Sequence, residues 1–439
     1  MTKSRSKFFL TLYCERTFVI ILGVFMRNKS CLSILFFFFL NNQSHAEKDG
    51  LQIFEENSFD SSGYIRAGIA ANSHGDTQSC FQLTGAKSKY RLGNECEQYL
   101  EVRGQQNLYK FEDGSILSVY GDLAWSQNYS DKIDFSGEHY NKWVEAYVKV
   151  ENIKVLNGAT LWGGRRFYKR NDIHISDFMY WNQSATGFGI ENFKYDDLLL
   201  SYAFSKKDDV FQKKSIDRHD INVDNIQTNT NGNFSAGLSF IPSTKDKNSH
   251  SGMALSLQHK QKIGELTNTL AVQYGYGPGT GLGYTGDTSL TKNDESFRIV
   301  EILDGQFTDN LSGQINFVYQ NDKRENKLDD QDWYSSGIRP VYAFTDQFKL
   351  IGEVGIDAIK RDKTATLTKF TISPTWSPKG KGFWDRPEIR LYYTYALWNK
   401  EAQDVADLKD SGSTLSSLGS FGTSRHGSNF GLQVEYGWD

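Results

Sequence analysis

The 439-residue sequence is poor in the features that mark most membrane transporters. It has no apolar run of the roughly 18 residues that a bilayer-spanning helix needs, and its mean hydropathy is −0.54 with 38% hydrophobic residues. A polytopic helical transporter is excluded. Proline is scarce, at 6 residues, and basic residues do not outnumber acidic ones: the net charge is −4. Without a basic excess, binding to a phosphate backbone is not expected as the main role, so no nucleic-acid partner is expected. No G-x-x-x-x-G-K-[ST] phosphate loop is present, and the 8 histidines lie in no recognisable nucleophile or metal-binding context. Neither a cofactor nor a metal is expected, and no enzymatic activity.

What the chain does have is aromatic residues and glycine: 30 Phe, 23 Tyr, 9 Trp and 39 Gly. These are strand and turn formers. The first 46 residues stand apart as a targeting segment, with two short apolar runs, Thr17 to Phe25 and Cys31 to Leu40. Read from Met26, the order is secretory: Arg27 and Lys29, the apolar run, then Ser44-His45-Ala46 as a small-x-small cleavage site. Residues 1–25 are then either an upstream extension from a misassigned start or part of an unusually long signal peptide. Removing residues 1–46 takes away Cys14 and Cys31 and leaves Cys80 and Cys96 in an oxidising compartment, where two cysteines usually pair. A disulfide is expected between them, since no His-rich or Cys-rich cluster accompanies the pair as a metal site would require.

From Ser58 onward the hydrophobic period is two. Phe430, Leu432, Val434, Tyr436 and Trp438 alternate with Gly431, Gln433, Glu435 and Gly437. Leu311 to Tyr319, Ile389 to Leu397 and Leu270 to Tyr276 repeat the pattern. In a soluble sandwich the apolar face would meet a second sheet. In an outer-membrane barrel it meets lipid, the polar face lines a lumen, and aromatics gather at strand ends. The Tyr and Trp residues at strand ends and the secretory segment favour the barrel. At roughly 22 residues per strand and connection, the chain after residue 46 yields about 18 strands, enough to leave an aqueous lumen. Ser205 to Asn233, Gly277 to Ser296 and Lys400 to Ser428 read as long polar connections, and no repeat or linker marks a second domain. The expected fold is therefore all-β: a transmembrane antiparallel barrel spanning residues 47–439, with both termini on the periplasmic side.

Particular stretches carry a resemblance. Ser62-Gly63-Tyr64-Ile65-Arg66, Cys80 to Glu101 (CFQLTGAKSKYRLGNECEQYLE) and Leu161 to Trp181 (LWGGRRFYKRNDIHISDFMYW) are similar to the maltoporins, the LamB-type sugar-specific trimeric porins of Gram-negative outer membranes. Gly337 to Tyr342, Trp384 to Arg390 and Gly419 to Gly422 follow in family order. The resemblance implies an inward-folded third loop that constricts the pore, and facilitated diffusion of maltose or maltodextrin-like oligosaccharides. It also implies a homotrimer set in outer-membrane lipid and lipopolysaccharide, with a periplasmic sugar-binding protein as a further partner.

By the same resemblance Tyr64, Tyr99 and Trp384 occupy the aromatic slide, while Arg66, Arg91, Glu101, Arg170, Asp172, His174 and Asp177 match the polar track and constriction. The residue types suit the chemistry. A pyranose packs its C–H patches on aromatic faces and presents a rim of hydroxyls that donate and accept hydrogen bonds. Arginines and aspartates in a porin lumen also serve a simpler purpose, a transverse field that orders water without sugar selectivity. Asp172 and Asp177 are not expected to act as a glycosidase pair, because an open watery pore does not shield the raised-pKa acid that hydrolysis needs.

The chain departs from the family pattern in several places. Met179 stands where the family has a bulky Tyr at the narrowest point, so the constriction is expected to be wider or differently selective. A slide Phe falls on Leu255, an inward aromatic near the C-terminus on Gly437, and a polar-track Arg on Val144. Tyr129 and Phe135 are candidates for the aromatic lent by a neighbouring subunit. These departures keep open a general porin, or one selective for other oligosaccharides or β-glucosides, on the same scaffold. Nothing in Ser205 to Asn233 resembles the ligand motif that a surface-adhesion role would need.

Overall fold

The computed structural model describes residues 59–130, 140–207 and 215–439; the secretory segment and Phe135 lie outside them. In chain order the strands are β1 (Phe59–Asn72), β2 (Glu97–Lys110), β3 (Ile116–Asn128), β4 (Tyr140–Ile153) and β5 (Ala159–Arg166). A small hairpin of β6 (Asn171–Ile173) and β7 (Phe178–Trp181) follows. The series resumes with β8 (Ala185–Tyr195), β9 (Leu198–Lys207), β10 (Arg218–Asn229), β11 (Gly232–Ile241), β12 (Gly252–Ile263), β13 (Leu266–Tyr276) and β14 (Glu295–Thr308). It ends with β15 (Leu311–Lys323), β16 (Gln331–Ala343), β17 (Phe348–Lys360), β18 (Thr364–Trp376), β19 (Glu388–Trp398) and β20 (His426–Trp438), with one α-helix, α1 (Lys400–Lys409), before the last strand.

Apart from the hairpin, these strands form one 18-stranded sheet in which each pairs antiparallel with the next. The sheet closes where β1 pairs with β20, in register from Gly63↔Trp438 to Asn72↔Asn429. Closure leaves no edge strand whose backbone groups lack partners, the condition for a sheet to stand in lipid.

The barrel is apolar outside and polar inside. On β20, Phe430 and Leu432 are 54% and 38% exposed, whereas Gln433 and Glu435 are 1% and 3% exposed. Leu391, Tyr393 and Leu397 on β19 and Ile315 and Phe317 on β15 likewise face outward. An apolar exterior of this extent would be costly in water and is stable against hydrocarbon. The period-two segments thus form strands as expected, with their apolar faces toward the membrane.

Connections sort by length. At the barrel end where β1 begins and β20 finishes they are short, as at 196–197, 230–231, 264–265 and 309–310, except for the longer turn 377–387. At the other end lie 73–96, 167–184, 277–294 and 399–425, with 361–363 as the short exception. One expectation is corrected here. Ser205 to Asn233 is not one long connection, because it contains β10. Its inward residues Arg218, Asp220 and Asn222 are polar and buried, and Arg218 pairs with Asp220 at 2.9 Å, so a strand reads as a loop. Lys400 to Ser428 begins with α1, and its last residues belong to β20.

Two of the long connections turn inward. Segment 73–96 is closed by the Cys80–Cys96 disulfide, with Cα atoms 5.8 Å apart. From the barrel rim this loop runs into the lumen and packs on β15 to β18. Tyr90 lies flat on Gly337 and Gly355, where any side chain would overlap its ring, and its hydroxyl is 2.8 Å from Ser335 Oγ. The Leu92 amide donates to Glu353 Oε1 at 3.1 Å, and Arg339 and Lys369 hold the same carboxylate. Segment 167–184 joins it through backbone bonds, Lys89 N to Ser176 O (3.0 Å) and Arg91 N to Ile175 O (2.9 Å). The loops go inward because they carry apolar residues, Phe81, Leu83, Leu92, Ile173, Ile175 and Phe178, that have nowhere else to be buried.

Candidate functional site

Alternation on β1 sends Tyr64 and Arg66 inward, and on β2 it does the same for Glu97, Tyr99 and Glu101. Tyr64 and Tyr99 lie with ring centroids 6.0 Å apart and planes tilted by 53°. The Tyr64 hydroxyl donates to Glu435 Oε1 at 2.9 Å and accepts from Arg91 Nη2 at 3.0 Å. Tyr99 donates to Glu101 Oε2 at 2.6 Å. Both phenols are thereby fixed at the hydroxyl, so each ring holds its orientation. Trp384 reaches the same region from the turn 377–387 and is 54% exposed. It stands edge-on to Phe383 at 4.7 Å and lies 4.8 Å from the imidazole of His174. Tyr64, His174 and Trp384 line one cavity of about 510 Å³. The structure therefore brings together the three aromatic residues expected from sequence.

The charged candidates divide into two groups. Arg66 is 5% exposed and bonds Glu95 (2.6 Å) and Glu97 (2.5 Å), with its guanidinium 5.9 Å from the Tyr99 ring centre. Arg91 donates to Glu95 through Nε at 2.8 Å, and Glu101 is held by Arg103, which also bonds Asp122 at 2.9 Å. These three are committed to internal partners and act as braces for the aromatic rings. Arg170, Asp172 and Asp177 are exposed on the inward loop. Arg170 lies over the Phe167 ring at 4.0 Å, Asp172 sits opposite Met179 in the β6–β7 hairpin, and Asp177 is 3.2 Å from Lys89 Nζ.

Met179 is half-buried between two anchored neighbours. Phe178 packs edge-on against Trp333 at 5.1 Å, and Tyr180 donates to Gln258 at 2.5 Å. Asp172 and Asp177 face the lumen but are ringed by the barrel wall, and this partial withdrawal from bulk water raises the Asp172 carboxyl above its ordinary range despite Arg170 and Arg91. For Asp177 the same withdrawal is outweighed by Arg91 and Lys89, and its carboxyl lies below that range. His174 is driven well below the usual imidazole range by burial first and by Arg91 and Arg339 next, which keeps the ring neutral.

Three alignments by resemblance need correction or relocation. Leu255 is not in the lumen: it is 42% exposed on the outer face of β12, opposite Leu238 and Tyr274, while Ala254 and Ser256 point inward. Val144 falls at a bulge where Asp122 pairs with Glu145 and Leu123 with Trp143, so it has no partner in the ladder. Tyr129 turns into its own barrel, its buried hydroxyl lying beside Gly68 and Gln433. Sequence reading also missed Glu95, Glu97, Arg103, Asp122 and Glu435, the groups that hold the rings. Strand alternation alone marks Glu97, Arg103 and Glu435 as inward; nothing in sequence pairs them with their partners.

A profile described as LamB porin matches residues 59–438. The chain belongs to the LamB porin family. It is an outer-membrane porin of a Gram-negative bacterium, a channel-forming barrel. Solved structures share the fold at low identity. A BenF-like porin from Pseudomonas fluorescens Pf-5 superposes with a TM-score of 0.51 at 9% identity, covering 87% of this chain and 98% of that one. OpdK from Pseudomonas aeruginosa, solved with vanillate, gives 0.50 at 10% identity, covering 88% and 100%. The LamB porin described here is thus joined to these relatives by architecture, and its chemistry is a matter for its own lumen residues.

Proposed function

We propose that this porin is selective for saccharides and carries maltose or maltodextrin-like oligosaccharides across the outer membrane by facilitated diffusion. The observation that carries this reading is the continuous row of Tyr99, Tyr64 and Trp384, which presents ring faces beside water-facing Arg170, Asp172 and Asp177. Aromatic faces take the C–H patches of successive sugar rings, and the charged groups exchange hydrogen bonds with hydroxyls. Several shallow sites in series let a solute enter and leave, which one deep site would prevent. Short turns and chain ends belong on the periplasmic side in this reading.

A homotrimer is part of the same proposal. An apolar depression of about 1010 Å³ in the outer wall, lined by Ile69, Ile372, Leu391, Phe430 and Leu432, supports a seat for a neighbouring subunit.

A specific observation favours a second reading, a general or differently selective porin that takes other oligosaccharides or β-glucosides. Arg66, Arg91 and Glu101 are spent on internal partners, and flexible Met179 stands in the constriction, so the polar track is thinner than the family resemblance implies. Single-channel conductance in planar bilayers, titrated with maltose, maltotriose, sucrose and a β-glucoside, separates the two. Saturable block by maltotriose supports the first reading; current that falls only in proportion to solution viscosity rejects it.

A further inference from the structure

Gly437 pairs with Tyr64 across the seam of the barrel and lines the same cavity as Tyr64, His174 and Trp384. A Cβ placed on it would meet nothing nearer than Gly63 O at 3.6 Å, so the wall there is open for want of a side chain, not because a neighbour fills the space. The resulting cavity of about 510 Å³ falls within the range of small-molecule sites, roughly 300–1,000 Å³.

Its lining is mixed. Trp384 and Tyr64 offer ring surface, while Arg386, Lys379, Glu435, Asp385 and Asp439 offer polar atoms. The charges inside it are largely balanced. Glu435 is held by Arg390, by Arg386 at 3.5 Å and by Arg91 at 4.0 Å, and Asp385 accepts the Gly382 amide at 2.6 Å. The imidazole of His174 borders the cavity, with its Nε2 turned away from the open space.

We propose that the space over Gly437 is a side pocket of the channel that takes a neutral glycosyl branch, so that the porin passes branched or side-substituted oligosaccharides as well as linear ones. The inference rests on the saccharide reading above and adds the substrate class. A neutral ring fits because the two cations of the lining, Arg386 and Lys379, face the three carboxylates of Glu435, Asp385 and Asp439, so an anionic substituent would meet more negative charge than positive. The ring face of the branch lies over Gly437 beside Trp384, and its hydroxyls face the Arg386–Glu435 pair and Asp385. A linear chain stacks on Tyr64 and Trp384 and leaves the space over Gly437 to water.

The test is single-channel block by a linear α-linked glucose oligomer and by a branched one of equal ring number, on the wild-type porin, Gly437→Trp and the smaller Gly437→Leu. The wild type should be blocked by both. Gly437→Trp should weaken block by the branched sugar several-fold while block by the linear sugar is kept or tightened, and Gly437→Leu should do the same to a smaller degree. The pocket is overturned, with the saccharide reading intact, if the linear sugar blocks the wild type but the branched one does not, or if both variants change the two sugars equally. If no saccharide blocks the wild type, both proposals fall. Open-channel current from each variant shows that it has folded and inserted.

Discussion

The indole of Trp384 lies 4.8 Å from the imidazole of His174, centroid to centroid. One residue belongs to the longest turn at the end where β1 begins and β20 finishes, the other to the loop that enters from the opposite end. Their contact is where the turn 377–387 meets the inward loop 167–184, and it sets Trp384 beside Tyr64. The aromatic row therefore depends on the inward loop as well as on the barrel wall.

Charge at the constriction should respond to acid in a definite order. Asp172 is raised and Asp177 lowered, so falling pH neutralises Asp172 first. The ordinary carboxyl value is about 3.9, and the first loss of negative charge should begin above it. In a salt gradient, the reversal potential should move toward anion preference over that range. Asp172→Asn should remove this early step, and Asp177→Asn should leave it in place. An early step that persists in full in Asp172→Asn would show that another group titrates.

Tyr90 needs both glycines beneath it. Gly355→Ala places a methyl inside the ring, forcing the loop off the wall. Overpacking of this kind costs about 1–3 kcal/mol. The urea midpoint of barrel unfolding in lipid should fall in Gly355→Ala and recover in part when Tyr90→Ala is added. Equal, additive losses from the two substitutions would mean that the ring and Gly355 do not share this contact.

Glu353 gathers Arg339, Lys369 and the Leu92 amide inside the lumen, with all of the side chains nearly inaccessible. Glu353→Gln leaves two cations without a counter-charge, and breaking a buried pair in this way costs about 3–5 kcal/mol. Lys363→Ala removes an exposed ion pair with Glu401 and should change the same midpoint by at most about 1 kcal/mol. Comparable effects from the two would contradict the assignment of Glu353 as an anchor for the loop.

The barrel was legible because lipid and lumen impose a strict two-residue period, visible from Phe430 to Trp438 without any partner strand. Legibility failed where the outward apolar face is short, as at β10 with Ile221 and Val223, and where one residue of register decides the face. Leu255 shows the second failure: a slip of one position moves a side chain from lumen to lipid. Tyr64, Tyr99 and Trp384 were singled out through their motifs, and they lie near one another in the fold. Their supports were not, since Arg66 meets Glu95 and Tyr64 meets Glu435 only after the loop has turned inward and β1 has closed on β20. The inward path of residues 73–96 was not legible because a disulfide loop with a few apolar residues looks the same in sequence whether it rests on the rim or on the inner wall.

The block constant of maltotriose for Trp384→Ala, measured by single-channel current against the wild type and against Arg170→Ala, tests the central claim most directly. Stacking one sugar ring on one aromatic face contributes on the order of 1 kcal/mol by analogy with aromatic pairs. Trp384→Ala should therefore weaken block several-fold with nearly unchanged ion conductance, whereas Arg170→Ala should alter both, since it removes charge from the constriction. A block constant for Trp384→Ala equal to the wild-type value for every sugar that blocks would contradict the aromatic slide and leave a general porin in its place.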